Sequence, residues 1–498
     1  MSPDKTTPYD PLMARWQQMH HFAHLQSIVS WDQATMMPPQ SNEARAQAMA
    51  ELNSHLHALI TADDVSAWLK QADALPLSTE QAANLREMKR QWTADHVLPP
   101  ALVRDKQLAT ARCEHAWRSQ RAQNDWLGHV PFLKEVVNLT RQEARHLANI
   151  QGVTAYEAML DRYEPGLRIA DLDQTLGALQ SWLPQLIRTS VAQQASQAVM
   201  LPQGPFPVEQ QKQLCLHIME ALGFNFSAGR LDVSAHPFCG GVPEDVRITT
   251  RFNTDEFLTS LYGTIHETGH ALYEQNLPRD WLGQPVAQAR SMAIHESQSL
   301  FFEMQLGAHS KFTEWLSPQL TAAFGEQAAF APDNLRRLLT RVKPGLIRVD
   351  ADEVTYPAHI LIRYGIEKSL IEGEIEVEDI PGLWNEGMHQ WLGLDTQGNF
   401  KDGPMQDIHW SLGAFGYFPC YTLGAMYAAQ WFACMQDQNV AHASDVQRGD
   451  FKAIKTWLNS NIWSQASFWP THELVRRASG QALNPSYYQK HLENRYLL

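Results

Sequence analysis

The sequence predicts a mainly α-helical protein with one small antiparallel β element. Two observations carry this reading. Over most of the chain apolar residues recur at helical spacing, in long polar–apolar runs such as 79–95 and 135–148. Only one interval, near 230–252, changes to the strict alternation and β-branched content of strands. No repeat of 20–50 residues is present, so the chain is not a solenoid or an array.

In order, residues 10–60 read as helices broken by Met37-Pro38-Pro39, with Ser41 placed to begin the second. From 78 to 196 the pattern stays helical, punctuated by Pro99-Pro100, Pro131 and Pro165-Gly166. The stretch 201–208, LPQGPFPV, is the most linker-like in the chain, and a helix over 209–222 follows it. Residues 230–234 and 246–252 then read as a short antiparallel pair separated by the turn-rich 236–243. Asn253 is placed to cap the next helix, with Glu256 three residues later. That helix covers 258–273, and after Pro278 and Pro285 another is expected over 286–307. Further helices are expected around 318–342 and 354–373, then a turn at Pro381-Gly382 and a Gly/aromatic region at 403–424. The last hundred residues again read as helices, interrupted by Trp463, Trp469 and Pro470.

Composition narrows the classes of function. The chain has 498 residues, which by length alone suggests roughly three domains. Formal charge is −14, from 54 acidic and 40 basic side chains without a dense basic run, which argues against nucleic acid as a partner. Asp4 and Asp10 stand where a secretory signal would need a basic end and an apolar run. The five cysteines are widely spaced and contain no C-x-x-C, as suits reduced thiols, so a cytosolic protein is expected. Between Asp407 and Asp437 there is no charged side chain, enough length to cross a bilayer. His409, Pro419 and Gln430 inside it favour a buried helix entered from an active-site loop over a membrane span.

The chemistry centres on 261–273, LYGTIHETGHALY. His266 and His270 lie one helical turn apart, so both imidazoles can face one metal ion, and Glu267 beside them can reach a water on that ion. An H-E-x-x-H can arise by chance in a chain with 21 histidines, and His20/His24 have the same spacing without an acid between them. The apolar flanks of 261–273 set it apart. A catalytic zinc takes three protein ligands and keeps one position open. Glu296, on the next helix, is the candidate third ligand, with Glu303, two turns on and on roughly the same face, as its rival. Glu267 would act as general base. Oxyanion donors would come from His409 and its neighbours or from Tyr417 and Tyr421. A free substrate carboxylate would suit a bidentate guanidinium, for which Arg348 and Arg247 are candidates.

The set HPF (236–238), DVRIT (245–249), HETGH (266–270), HES (295–297), IRVDAD (347–352), GPMQDIHW (403–410) and FGYFPCY (415–421) resembles the thermostable carboxypeptidase Taq family of metallopeptidases. The N-terminal W-D-x-x-T-x-M-P-P at 31–39 extends the resemblance over nearly the whole chain. It implies a helical, cleft-bearing fold similar to the neurolysin and angiotensin-converting-enzyme group, commonly a homodimer, with zinc or cobalt and broad C-terminal specificity toward peptides. Carried over by position, it makes Glu296 the third ligand, Glu267 the base and Arg348 a carboxylate contact. Looser similarity to related helical peptidases gives His409 and Tyr417 the oxyanion, with Tyr421 still open. The HPF and DVRIT segments, with His236 and Arg247, would wall the cleft, and Asp245 would pair with Arg247. The expectation is one catalytic unit over 1–498, its metal site in 201–498 and its N-terminal helices, roughly 1–200, a lid or side lobe. The rival readings are an oligopeptidase or dipeptidyl carboxypeptidase with the same metal machinery, and a catalytically silent peptide-binding scaffold.

Overall fold

The computed structural model describes residues 7–440 and 442–497, with Pro39 described by its backbone alone; Asp4 lies outside the described residues. Helices dominate. The first breaks after Thr35 and the second runs Asn42–Thr61, as the Pro38-Pro39 interruption requires. A capping box at Ser78 and Gln81 starts Thr79–His96, and the helix Trp126–Gln151 stops at Gly152, whose φ of 67° suits glycine.

One apolar core runs through the chain from Ala109 to Tyr496. A second, smaller cluster lies within the N-terminal helices, around Leu12, Trp16, Val65, Leu69 and Met88. The two meet through polar contacts. Asn84 donates to Gln284 Oε1 at 3.2 Å and accepts from the Val286 backbone at 3.2 Å, and Glu87 meets Arg290 at 2.8 Å with both side chains almost fully buried.

The β element lies where the sequence puts it, but its pairing differs. Strands β1 (Gly229–Val233), β2 (Cys239–Val242) and β3 (Asp245–Thr250) form a three-stranded sheet in the order β1-β3-β2. β2 and β3 are the antiparallel pair, whereas β1 and β3, the two segments expected to pair antiparallel, run parallel. The cause is β2. Its Cys-Gly-Gly-Val reads as turn, yet it forms a strand that reverses tightly at Pro243-Glu244, so β3 inserts between β1 and β2. Gly241 has a φ of 108°, and a Cβ there would lie 2.0 Å from the Asp245 carbonyl oxygen.

Three other expectations change. Pro381 and Gly382 are not a turn but the first turn of the helix Ile380–Leu392, where proline's missing N–H costs nothing. The helix expected over 286–307 resolves into a short turn at Pro285–Ala287, an α-helix Met292–Leu300 and a π-helical continuation Phe301–Leu306. Asn253 does not cap the following helix, as described below. The uncharged stretch after Asp407 becomes the buried helix Pro419–Asp437, in which Gln430 bonds to Ser479 and to the Asn484 backbone. Among the described residues no helix is long and apolar enough to cross a membrane.

Burial alone would raise the Glu87 carboxyl, but Arg290 and Arg90 outweigh it and hold it at about 2 against an ordinary 4.5. A carboxyl depressed on folding contributes stability that is complete above its unfolded value and is lost as pH falls toward the folded one. Denaturant titrations from pH 7 to 2.5 should therefore show stability falling below about pH 4.5. In Glu87→Gln that acid limb should be shallower, and at pH 7 the variant should be less stable by ~3 kcal/mol because Arg290 loses its buried partner.

Candidate metal centre

The helix Leu258–Gln275 buries Leu261, Ile265 and Leu272 in the core and presents the two histidines on another face. Its start is set by Glu256, whose carboxylate accepts from the Thr259 N–H at 3.0 Å, while Asn253 closes a local turn onto Asp255. His266 and His270 have ring centroids 5.0 Å apart. The helix Met292–Leu300, capped by Ser291, packs directly across them. A Cβ on Gly269 would lie 2.4 Å from the Gln298 carbonyl oxygen and 2.6 Å from Ser299 Cα, so only glycine permits this approach. Behind Glu296, a Cβ on Gly424 would lie 2.8 Å from the Glu296 Cβ and Cγ.

Glu296 is thereby held between two helices with its carboxylate toward the imidazoles. Oε1 is 3.9 Å from His266 Nε2 and Oε2 is 3.6 Å from His270 Nε2. The three donor atoms lie within 4.8 Å of one another. Glu303, the rival, turns instead to the far side of His266 and accepts from Nδ1–H at 2.7 Å. That bond leaves the His266 Nε2 lone pair facing Glu296. His270 is fixed by a relay the sequence did not suggest: His295 lies 2.6 Å from its Nδ1 and 2.8 Å from Glu274. With His295 Nε2–H given to Glu274, His295 Nδ1 accepts from His270, and His270 Nε2 is again the free donor.

The pocket strongly favours positive charge. Burial pulls His266 down, but Glu303, Glu296 and Glu267 together push it up to about 10. Burial raises Glu267 to about 7, with His266 lowering it and Glu296 and Glu303 raising it further. Burial likewise raises Glu296. Two imidazole nitrogens and a carboxylate, crowded by further carboxylates in a desolvated site, fit a divalent cation.

A second wall carries the opposite sign. Arg348, 5% exposed, grips Asp407 through Nε and Nη2 at 3.1 and 2.8 Å and donates Nη1 to Tyr356 at 2.5 Å. Arg363, fully buried, bonds the same Asp407 at 2.7 Å. Burial would raise Asp407, yet Arg363 and Arg348 hold it well below the usual carboxylate range. Two guanidiniums thus share one directly bonded carboxylate. Tyr421 lies against Arg348 at 4.9 Å and Tyr417 packs on Tyr421 at 5.3 Å. His409 Nε2 is 3.3 Å from the Tyr421 hydroxyl, and its buried Nδ1 has no partner. Arg348, Tyr417 and Tyr421 all lie within electrostatic reach of Glu296.

The two remaining candidates are on and beside the small sheet. Arg247 is paired with Asp245 through two bonds of 2.9 and 2.7 Å and stacks on Trp31 at 4.5 Å, while His236 is exposed on the loop between β1 and β2. Sequence reasoning missed His295, Glu274, Tyr356 and Arg363. The first two carried a faint signal, since Glu274 follows His270 by one helical turn and His295 adjoins Glu296.

A helical fold around a His/His/Glu cluster with a buried glutamate, Glu267, beside it is an arrangement that metal-dependent hydrolases use. Residues 11–496 match the family of the carboxypeptidase Taq (M32) metallopeptidases. The chain is 35% identical over 500 residues to thermostable carboxypeptidase 1 of Thermus thermophilus, covering 98% of each, and 32% identical to carboxypeptidase 1 of Bacillus subtilis, covering 96% of each. The solved structure of Trypanosoma cruzi metallocarboxypeptidase 1 superposes with a TM-score of 0.97 at 46% identity, over 98% of this chain and 99% of that one. The chain belongs to the M32 carboxypeptidase family, and its activity is metal-dependent hydrolysis at the C-terminus of peptides.

Removing the relay behind His270 should weaken the site without dismantling it. His295→Ala should keep its helical circular dichroism and lose roughly 10–100-fold in affinity for Zn2+, read by competition with a chromogenic chelator. An unchanged affinity would show that His270 needs no support.

Proposed function

We propose that the chain removes single residues of broad type from the free C-terminus of peptides, with His266, His270 and Glu296 holding one Zn2+, or Co2+ in its place. The observation that carries this reading is the juxtaposition of a cation-favouring His/His/Glu cluster with a buried wall in which two guanidiniums share one directly bonded carboxylate. Such a wall suits a substrate that ends in a carboxylate. The mixed nitrogen and oxygen donor set supports zinc or cobalt over magnesium or calcium.

When bound, the metal lowers the pKa of water to about 7 and polarises the scissile carbonyl. Glu267 takes the proton of the attacking water and passes it to the leaving amine. Arg348, held rigid by Asp407 and Tyr356, orients the terminal carboxylate. Arg247, neutralised by Asp245, would be a cleft-wall residue with His236. Burial lowers His409 to about 4 and, with Glu296 nearby, keeps the Tyr417 phenol protonated, so both remain hydrogen-bond donors for the developing oxyanion. Tyr421, which lies by His409 and Arg348, would contact substrate.

The whole chain would act as one catalytic unit, supported by a core that extends from Ala109 to Tyr496 and by the buried Asn84 and Glu87 contacts of the N-terminal helices. Those helices would form the side wall. The absence of disulfides among five free thiols fits the cytosol, and a homodimer is the assembly expected from the family resemblance.

Glu267→Gln should retain stoichiometric metal and lose about 10²–10⁴-fold in kcat on a peptide with a free C-terminus. Undiminished release of amino acids would remove Glu267 as base. Separately, amidating the C-terminus of the same peptide should lower kcat/KM at least about 100-fold, a loss of ~2.7 kcal/mol. Equal turnover of acid and amide, by mass analysis of the products, would favour internal cleavage and overturn the carboxylate clamp.

A further inference from the structure

The two proposed oxyanion donors, His409 and Tyr417, stand on an irregular stretch, residues 409–417, that belongs to no helix or strand. Side chains on such stretches are placed less precisely than those on helices unless something outside holds them. The His409 ring does little to hold itself: its Nε2 is 3.3 Å from the Tyr421 hydroxyl, and its buried Nδ1 has no partner. Tyr417 rests on the rings of Tyr163 at 5.1 Å and Tyr421 at 5.3 Å. Both therefore depend on what holds the backbone beside them.

Glu367 supplies that hold. It lies on the helix Tyr356–Glu372, is fully buried, and accepts hydrogen bonds from both ends of the stretch. Oε2 accepts the indole N–H of Trp410, next to His409, at 3.2 Å, and Oε1 accepts the N–H of Gly416, next to Tyr417, at 3.3 Å. The Tyr156 hydroxyl, from the short helix Ala155–Leu160, donates to Oε1 at 2.5 Å and fixes the carboxylate itself. Burial raises the carboxyl to about 7 against the pull of these three donors and of Arg363. The stretch is also seated tightly at one end: Gly416 has a φ of 89°, and a Cβ there would lie 2.8 Å from the Leu160 nitrogen. Trp410 and Phe415 stack within it, with ring centroids 6.3 Å apart.

Tyr356, Arg363 and Glu367 follow one another at about two turns and then one turn, so they share a face of one helix. The first two hold Arg348 and Asp407. One helix face thus carries both the guanidinium wall and the stretch with His409 and Tyr417.

We propose that Glu367 is a positioning residue that sets where His409 and Tyr417 stand relative to Arg348. With a substrate carboxylate held at Arg348, the two donors would then meet the developing oxyanion. This role rests on the proposed oxyanion function of those two side chains. Glu367 touches no reacting atom and acts through Trp410 and Gly416. A misplacement of about 1 Å at a reacting centre can cost on the order of 100-fold in rate. An interaction made only in the transition state is lost from kcat and not from KM.

Steady-state kinetics on a peptide with a free C-terminus test this. Glu367→Gln accepts through one oxygen only and should lose at least about tenfold in kcat, with KM and Zn2+ affinity within about twofold of the wild type. Trp410→Phe keeps an aromatic ring, removes one bond, and should show a severalfold loss confined to kcat, so the test does not depend on one variant. In an enzyme already carrying His409→Ala and Tyr417→Phe, Glu367→Gln should cost no more than about twofold further in kcat. Unchanged kcat in both variants, a loss that falls on KM or metal affinity instead, or an undiminished further loss in that background would overturn the positioning role. Should His409→Ala with Tyr417→Phe itself turn over like the wild type, the oxyanion function falls too, which distinguishes the two failures.

Discussion

The metal centre depends on the close approach of two helix backbones at Gly269. Helical spacing alone puts His266 and His270 on one face, but a third donor must arrive from a separate helix and stop within a few ångströms. With the Gln298 carbonyl 2.4 Å from where a Cβ would be, the helix Met292–Leu300 lies as near as two backbones permit. Gly424 repeats the device from behind by removing the side chain that would push Glu296 aside. Two helices adjacent in sequence and a third from far along the chain thus converge on one carboxylate, and the large core from Ala109 onward keeps them there. Donor precision here comes from rigid elements rather than from loops.

Around that contact the charges are sorted by sign. Glu267, Glu274, Glu296 and Glu303 cluster with the imidazoles, whereas Arg348 and Arg363 gather across from them around Asp407. In a desolvated cleft, where Coulomb interactions are stronger than in water, this arrangement would orient a bound peptide end. On the proposed reading, a terminal carboxylate would be drawn to one wall while the peptide carbonyl before it would face the metal donors. Neutral donors occupy the space between. Burial and two neighbouring guanidiniums keep the His409 imidazole uncharged, so it can donate a hydrogen bond without competing for the substrate carboxylate.

What the sequence revealed and what it hid follow the range of the interactions. The H-E-x-x-H helix was legible because its geometry is local, and Glu296 because a short connection forces the next helix to pack alongside. The choice between Glu296 and Glu303 was not resolved by spacing. They share a face, and only the π-helical turn Phe301–Leu306 and the antiparallel packing send Glu303 to the other nitrogen of His266. The strands were located but mispaired, since Cys239-Gly240-Gly241-Val242 has turn composition and becomes a strand only with β3 beside it. Asp407 and its two arginines are 59 and 44 residues apart in the chain, a separation at which local pattern carries no information. The Arg247–Asp245 pair, two residues apart on one strand, was within reach.

That contrast between the two arginines is why Arg348, rather than Arg247, is proposed for an anionic substrate. Arg247 meets a single aspartate through two bonds, is capped by Trp31, and leaves its neighbourhood electrically balanced. Arg348 also has an aspartate, but Asp407 must neutralise Arg363 as well, and both guanidiniums are almost wholly buried. Two buried guanidiniums on one bonded carboxylate are costly in the free protein, and an incoming carboxylate would relieve that cost. Asp407 therefore acts as more than a counter-ion. By holding Nε and Nη2 of Arg348 it fixes the plane of the guanidinium, and Tyr356 fixes the third nitrogen, so the guanidinium is presented in one orientation. Replacing Asp407 by a neutral residue would raise the positive charge of the wall while loosening its geometry. A carboxylate would then be attracted more strongly and oriented less well, so the wall would lose discrimination rather than affinity.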